Sequence, residues 1–387
     1  EADGAETLSI TLADPRLGLE VELLYGVLPK VDVITRAAVI RNNGTGRVTV
    51  EKAQTACLDF VSGDFDVITF DGRHAMERRP SRRPVTNGSF SVGSRRGMSS
   101  NQYNPVMILC DHDATETAGR CWSMSFVYSG SFLAEVERDQ YEQTRMQMGL
   151  ASDLFSYPLE PGEKIVAPEV LMTYSGAGLE RISHNLHRCI RRHVCRGPWR
   201  DSPRPVLINS WEACYFDFTG DKLVELAKKA ADLGLDMLVM DDGWFGARND
   251  DHRGLGDWRP NMAKLGGTVA DLARRVNEVG LGFGIWVEPE MVNEDSTCSA
   301  RTPTGRSPSP ARSRCWAATS WCSTSRGPRC ATTSSSSSAP CSTRAGSTTS
   351  SGTTTARSWT CTPARRATRA RSSTTTCSVS TTCSSAS

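Results

Sequence analysis

From Thr297 to Ser387 the chain has no aspartate, glutamate, lysine, histidine, asparagine or glutamine. It also has no leucine, isoleucine, methionine, phenylalanine or tyrosine there, and its only valine is Val379. Such a segment cannot build a core, because a core draws about 1.5–3 kcal/mol from each buried aliphatic side chain. Other absences apply to the whole chain. No apolar run approaches the roughly 18–20 residues of a membrane span, and no signal-peptide pattern opens the sequence. The chain begins at Glu1, inside a strand-rich region, so its true start is expected upstream. Before residue 297 the six cysteines (Cys57, Cys110, Cys121, Cys189, Cys195 and Cys214) are scattered, mostly in apolar runs. They suit reduced core thiols of a cytoplasmic protein better than a disulfide framework.

The net charge of +2 averages two unlike segments. Twelve arginines and no acidic residue follow Ser296, which leaves residues 1–296 at −10. The first 296 residues read as an ordinary acidic protein, and the tail as something else.

Residues 1–178 read as strands. LEVELLY (Leu19–Tyr25) and VTVEKA (Val48–Ala53) alternate apolar and polar residues, the period of half-buried strands. Asn42-Asn43-Gly44 marks a turn, and Ser129-Gly130 lies between SFVY and SFLAEVE as a hairpin would place it. Many short strands predict an antiparallel β-sandwich. At Leu179 the period becomes helical, with Leu179, Ile182, Leu186, Ile190 and Val194 on one face. His184, His187, His193, Cys189 and Cys195 share this stretch. Their spacing matches no strong zinc pattern, so an amphipathic connecting helix is expected and no metal. GPWRDSPRP (Gly197–Pro205) closes a connecting segment over 179–205.

Parallel βα units follow over 206–296. VLINSW (Val206–Trp211), MLVM (Met237–Met240) and LGFGIWVEPE (Leu281–Glu290) are strands that read as buried on both faces. Between them run two helical stripes: Leu223, Leu226, Ala227, Ala230 and Leu233, closing near Gly234, then Val269, Leu272, Ala273 and Val276, closing at Gly280. The strand ends carry Trp211 and Glu212; Asp241, Asp242 and Trp244; and Trp286, Glu288 and Glu290. In a parallel barrel these ends share one face, and that face carries the site. Carboxylates accept hydrogen bonds from several sugar hydroxyls, and an indole covers the apolar face of a sugar ring. Magnesium binding or helix capping would also place acids at strand ends. Neighbouring Asp241 and Asp242 point to opposite sides of their strand, so they suit hydroxyl binding better than an acid–base pair. GLGFG (Gly280–Gly284) opens a strand and lacks dinucleotide-binding spacing.

LINSWEACYFDF, VMDDGWFGARNDDHRGLGDW and GFGIWVEPEMVNEDS resemble glycoside hydrolase family 36, the melibiase and raffinase type of α-galactosidase. VITRAAVIRNNG, GRHAMERR and GSRRGMSSNQYNP resemble its N-terminal domain, and the likeness runs from about residue 7 to Ser296. The resemblance implies a β-sandwich followed by a (β/α)8 barrel, with retaining hydrolysis of terminal α-linked galactose from melibiose- and raffinose-type sugars. It implies no cofactor, no metal, a cytoplasmic location and a tetramer whose N-terminal domains help complete neighbouring sites. Asp241 and Asp242 match the pair that holds galactose hydroxyls, Trp211 matches an aromatic wall, and Trp286 and Trp244 stand in matching strand-end motifs. His74 stands where the family has a tryptophan in its G-x-W-x-R-E-R block. α-N-Acetylgalactosaminidase, galactosyl transfer and a non-catalytic galactose-binding fragment are the alternatives.

The K-W-D block that holds the family's nucleophile is absent. With GC-rich codons and a shift of one base, TCSARTPTG (Thr297–Gly305) becomes DLFRAHPDW. AATSWCSTSR (Ala317–Arg326) becomes GRNQLVLDLS, and TTSSGTTTARSWTC (Thr348–Cys361) becomes DYVKWDHNRAKLDV. Three family blocks in one alternative frame imply a lost base near the codons of Ser296 and Thr297. The nucleophile codon then straddles Gly352 and Thr353, the sugar-binding arginine falls at Ala317/Ala318, and the general acid lies beyond Ser387. Residues 297–387 are thus expected to be an out-of-frame, disordered tail. The rival reading, a basic arm for nucleic acid, sits poorly with a segment that has no lysine but eight cysteines and three tryptophans. No nucleic-acid or membrane partner is expected. A barrel takes about 250 residues, whereas only 182 remain from Val206 onward, so a truncated barrel of about three βα units is expected.

Overall fold

The structure, a computed structural model, describes residues 5–61, 63–153, 155–289, 291–301 and 321–322. Two compact units divide at Arg196 and Gly197.

The first unit is a sandwich of antiparallel strands. In chain order they are β1 (Glu6–Asp14), β2 (Leu19–Leu28), β3 (Val33–Asn42), β4 (Val48–Val50) and β5 (Gln54–Phe60). β6 (Asp66–Arg73), β7 (Met76–Pro84), β8 (Gly88–Ser94), β9 (Tyr103–Cys110) and β10 (Cys121–Phe126) follow. β11 (Phe132–Arg138), β12 (Thr144–Leu150), β13 (Tyr157–Leu159) and β14 (Lys164–Ser175) complete the set. One sheet has the order β1-β2-β3-β14-β10-β9-β6-β7 and the other β5-β12-β11-β8, while β4 pairs with β13.

Alternation in the sequence decides which side of each strand is inside. Val21 and Leu23 of β2 are buried, while Glu20 and Glu22, alternating with them, reach Arg41 across the pair at 2.9 and 2.6 Å. Phe132, Met107, Met124, Met146 and Met148 fill the space between the sheets without measurable exposure. A second core lies on the other face of the large sheet, beneath helix α1 (Gly178–Cys189). There Ile182, Leu186 and Cys189 meet Ile108, Cys110, Cys121 and Leu171. Helix α1 therefore packs as part of the first unit. His184 and His187 of this helix are exposed, and its last turn widens into a π-helical segment over Ile190–Val194. No group of three or more metal-ligating side chains forms among the described residues. Cys57, Cys110, Cys121, Cys189, Cys195, Cys214 and Cys298 are free thiols.

The expected hairpin at Ser129-Gly130 does not form. β10 already has β9 and β14 on its two sides, so the chain crosses to the other sheet, where β11 pairs with β8 and β12. Ser129 and Ser131 instead use their carbonyls to accept from the amides of Ser99 and Ala151, which fixes the crossing.

The second unit opens with β15 (Leu207–Asn209), a short helix α2 (Trp211–Cys214) and helix α3 (Gly220–Asp232). β16 (Met237–Met240), α4 (Met262–Leu265), α5 (Val269–Glu278) and β17 (Gly282–Ile285) follow, then β18 (Met291–Val292), α6 (Thr297–Arg301) and β19 (Trp321–Cys322). β15, β16 and β17 form a parallel sheet with β16 in the centre, and all four residues of β16 are buried. Thr219 caps α3, and Thr268 with Asp271 makes a capping box for α5, so both helices begin where unsatisfied backbone amides find oxygen acceptors. Val269, Leu272, Ala273 and Val276 of α5 are all buried. On α3, Leu223, Ala227 and Ala230 are buried, whereas Leu233 is exposed beyond the helix end. The strands are shorter than their apolar runs suggested. Among the described residues the barrel contributes these three strands, while β18 and β19 form a separate antiparallel pair.

The first residues of the compositionally odd tail are helical. Ser296 Oγ accepts from the Ser299 amide, and the Asp257 carboxylate accepts from the amides of Thr297 and Cys298 at 3.1 and 2.8 Å. Capping oxygens are enough to start a turn there, in place of the expected disorder from Thr297. The frame-derived positions at Ala317/Ala318 and Gly352/Thr353 lie outside the described residues, as does Glu290.

Candidate functional site

The parallel ladder fixes which residues share an edge. Asn209 pairs with Val239 and Met240 with Ile285, and the Trp286 amide continues the ladder to the Met240 carbonyl at 2.9 Å. Ser210, Asp241 and Trp286 therefore leave the sheet at the same carboxyl end, the end at which α/β sheets carry ligands.

Asp241 is held from two sides. Asn209 Nδ2 donates to its Oδ2 at 2.6 Å, and the Asp242 amide donates to its Oδ1 at 2.7 Å. Asn209 also accepts from the Trp211 amide at 2.8 Å, so a single amide side chain links Trp211 to Asp241. Asp242 lies in the fork of Arg248, with Nε at 3.0 Å from both oxygens and Nη2 at 2.7 Å from Oδ2. Arg248 is 2% exposed, and its Nη1 also donates to Asn293 Oδ1 and to the Arg253 carbonyl. The loops after β16 and β17 are thereby tied by one buried guanidinium.

Burial raises both carboxyls above the ordinary aspartate range. The Asp242 amide and Asn209 draw Asp241 part of the way back, and Arg248 does so for Asp242. Lys264 is lowered by its own burial and sits in the field of Asp242. Its ammonium donates to the Phe216 carbonyl at 2.8 Å and lies 4.3 Å from the Phe218 ring centre. An ionised carboxylate offers about four acceptor positions. Asp241 has spare capacity after its two bonds, whereas Asp242 accepts three from Arg248.

Gly243 has φ +98, a conformation that L side chains rarely adopt, and a Cβ there would approach Phe216 to 3.0 Å. Phe216 in turn stacks edge-on against Trp211, with ring centres 5.0 Å apart, and lies 5.4 Å from the Arg248 guanidinium carbon. This run of contacts brings Trp211 to the two aspartates.

The six expected binding residues fare differently. Asp241, Asp242, Trp211 and Trp286 gather at one edge. Trp211 starts the helix α2 instead of ending a strand, because the ladder of β15 stops at Asn209. Trp244 is corrected from a sugar-facing wall to a core residue. It is 2% exposed, packs on Phe245 and Trp258, and donates its indole N–H to the Trp286 carbonyl at 2.9 Å. Trp286 is itself 5% exposed and lies 5.9 Å from Trp258. His74 is exposed at the tip of the β6–β7 hairpin of the first unit. Glu212 accepts from the Tyr215 hydroxyl at 3.1 Å. Asn209, Arg248, Lys264 and Asn293 were not singled out from the sequence, although their polar types inside apolar strand-and-loop blocks are the signal that would have found them. A half-open hollow of about 450 Å³ lies in the first unit.

Comparison with known proteins agrees with this arrangement. The glycosyl hydrolase family 36 N-terminal domain matches residues 1–160, and the melibiase family matches residues 165–316. The chain is 60% identical over 292 residues to the bifunctional alpha-galactosidase/sucrose kinase AgaSK of Mediterraneibacter gnavus, covering 76% of this chain and 31% of that protein. It is 46% identical to alpha-galactosidase AgaA of Geobacillus stearothermophilus over 77% of this chain and 41% of that one. The solved galactosidase domain of AgaSK superposes with a TM-score of 0.81 at 53% identity, covering 87% of this chain and 47% of that one. An AgaA variant in complex with raffinose superposes with a TM-score of 0.84 at 40% identity, covering 90% and 49%. The chain spans less than half the length of these relatives. By these matches the chain belongs to glycosyl hydrolase family 36, the melibiase family.

Proposed function

We propose that the intact protein is an α-galactosidase that hydrolyses terminal α-linked galactose of melibiose- and raffinose-type sugars with retention. The observation that carries this reading is the common edge of Trp211, Asp241 and Asp242, with Asp241 held by two donors and still able to accept from a sugar hydroxyl. In this reading Asp241 and Asp242 hold galactose hydroxyls, Trp211 and Trp286 frame the ring, and Arg248 holds Asp242 in its aim. The retaining reaction also needs a carboxylate nucleophile and a second carboxyl that acts first as acid and then as base. In the intact enzyme, a cytoplasmic tetramer, N-terminal domains of neighbouring copies help complete each site, with His74 in place of the family's tryptophan. No cofactor or metal takes part.

The 387-residue chain has neither of the two reacting carboxyls in the family's blocks, so it is catalytically inert. A reading-frame change near Ser296 accounts for the loss. Inserting one base at that codon and extending the gene restores release of nitrophenol from a nitrophenyl α-galactoside, while the literal chain releases none. Release by the literal chain would overturn the inert reading, and inactivity of the restored gene would overturn the enzyme. Calorimetry with galactose separates a galactose-binding fragment from one that binds nothing. Activity on an α-N-acetylgalactosaminide, or transfer to sucrose by the restored enzyme, would move the assignment within the family.

A further inference from the structure

In the first unit, strand β7 places charge where a sandwich normally has apolar side chains. Register sets Arg83 opposite Val67, Ser81 opposite Thr69, and Arg79 opposite Asp71, and directly opposed residues share a face. Val67 belongs to the core between the sheets, so Arg79, Ser81 and Arg83 all project toward that side. They line the cavity of about 450 Å³, together with Arg73 from the hairpin and Phe90 from β8.

A contrast along the strand marks these arginines. Arg82, on the opposite face of the same strand, is fully engaged: its guanidinium meets Asp66 at 2.6 Å and donates to the carbonyls of Asp111, His112 and Ala114. Among the described residues, by contrast, Arg73, Arg79 and Arg83 have no carboxylate within ion-pair distance, and Asp71 is the one acid lining the hollow. Arg83 is held in place, with its guanidinium carbon 4.3 Å from the centre of the Phe90 ring and a hydrogen bond to Ser81. A stacked guanidinium keeps its outer N–H groups in a fixed plane, the geometry that matches an oxyanion.

We propose that this hollow binds a small molecule carrying a phosphate group. Its volume falls within the roughly 300–1,000 Å³ of small-molecule sites. The guanidiniums supply forked donors to the phosphate, and Ser81, Thr69 and the Asp71 carboxylate face any hydroxyl-bearing remainder. The residues that line it all belong to the first unit, and the phosphate reading does not depend on the galactosidase reading. The competing explanation is that inward charges at an edge strand merely discourage pairing with other sheets.

The test is calorimetry on the full 387-residue protein with inorganic phosphate and with a hexose 6-phosphate, using a neutral hexose and sodium chloride of matched ionic strength as references. Saturable binding of a phosphate probe is expected, weakened at least tenfold in Arg79→Gln and Arg83→Gln. Arg78→Gln removes the same charge from β7 but lies outside the hollow, and it should bind as the parent does. Tighter binding of the hexose phosphate identifies an ester as the ligand, and equal or tighter binding of inorganic phosphate identifies the free ion. The proposal is overturned by absence of saturable heat, by an equal effect of sodium chloride, or by equal weakening in Arg78→Gln. Circular dichroism of each variant confirms the fold. Should an arginine variant unfold, protection of Arg79 and Arg83 from phenylglyoxal by inorganic phosphate in the parent protein decides the same point.

Discussion

The two units solve the same problem with unequal means. In the first, two sheets close over a shared core, and helix α1 covers a second core on the outer face, so the apolar side chains of most strands find partners within the unit. In the second, a three-stranded parallel sheet carries sound local features: capped helices, a buried central strand and a dense cluster around Phe245 and Phe283. What a barrel adds is closure, and closure is not local. It requires strands that arrive much later in the chain. Leu207, which opens the strand at one side of this sheet, and Val206 just before it are exposed. The described strands of the first unit complete their pairings within that unit, even those as distant as β3 with β14, whereas a barrel needs strands from further along the chain.

Limited proteolysis offers the largest test of that contrast. A resistant fragment ending near Arg196 is expected while the second unit is digested, and equal resistance of both would remove the distinction. Within the second unit, Arg248→Ala leaves the Asp242 charge buried without its partner. It should lower stability by about 3–5 kcal/mol in urea unfolding, whereas Arg248→Met combined with Asp242→Leu should recover most of that loss. A loss no greater than that of a surface substitution would show that the network is not what joins the two loops.

Both units should lose stability as pH rises, each in a different interval. His112 is raised above its ordinary 6.5 by Asp64 and Asp66, which it contacts at 3.0 and 2.7 Å. Its contribution is therefore fully present below pH 6.5 and fades as pH rises through the raised value. The stability gap between the parent and His112→Gln should close over that interval. Asp241 is raised from 3.8 by burial, so the folded state holds its proton more tightly and stability falls as pH climbs from 3.8 through the raised value. Asp241→Asn should flatten this decline, and a steeper decline in the variant would reverse the assigned cause. The smallest expected effect is at the β6–β7 hairpin, where Ala75 has φ +60. Relieving that left-handed conformation with Ala75→Gly should add about 1 kcal/mol or less to the first unit, read as a small rise in its melting temperature.

Features that depend on neighbours a few residues away were legible in the sequence. The stripe Val269, Leu272, Ala273 and Val276 gave α5, with Gly280 at φ +99 just past its end. The apolar run ending in Asp241 and Asp242 gave the central strand and the acidic edge. Features that depend on distant partners were not. The Ser129–Gly130 segment has the composition of a hairpin, but whether a strand turns back or crosses over depends on which edges are already taken. Trp244 has the same local surroundings as a rim residue, and its packing on Trp258 and its bond to the Trp286 carbonyl, 42 residues on, make it part of the core. Arg248 reads as one more loop arginine until Asn293, 45 residues later, completes its shell.

Asp257 carries a consequence of its own. Its two oxygens grip the peptide N–H groups of Thr297 and Cys298, which every amino acid except proline presents alike. An anchor of that kind grips backbone whatever side chains it bears, so the first turn of α6 is set by one carboxylate and not by the character of the residues it holds.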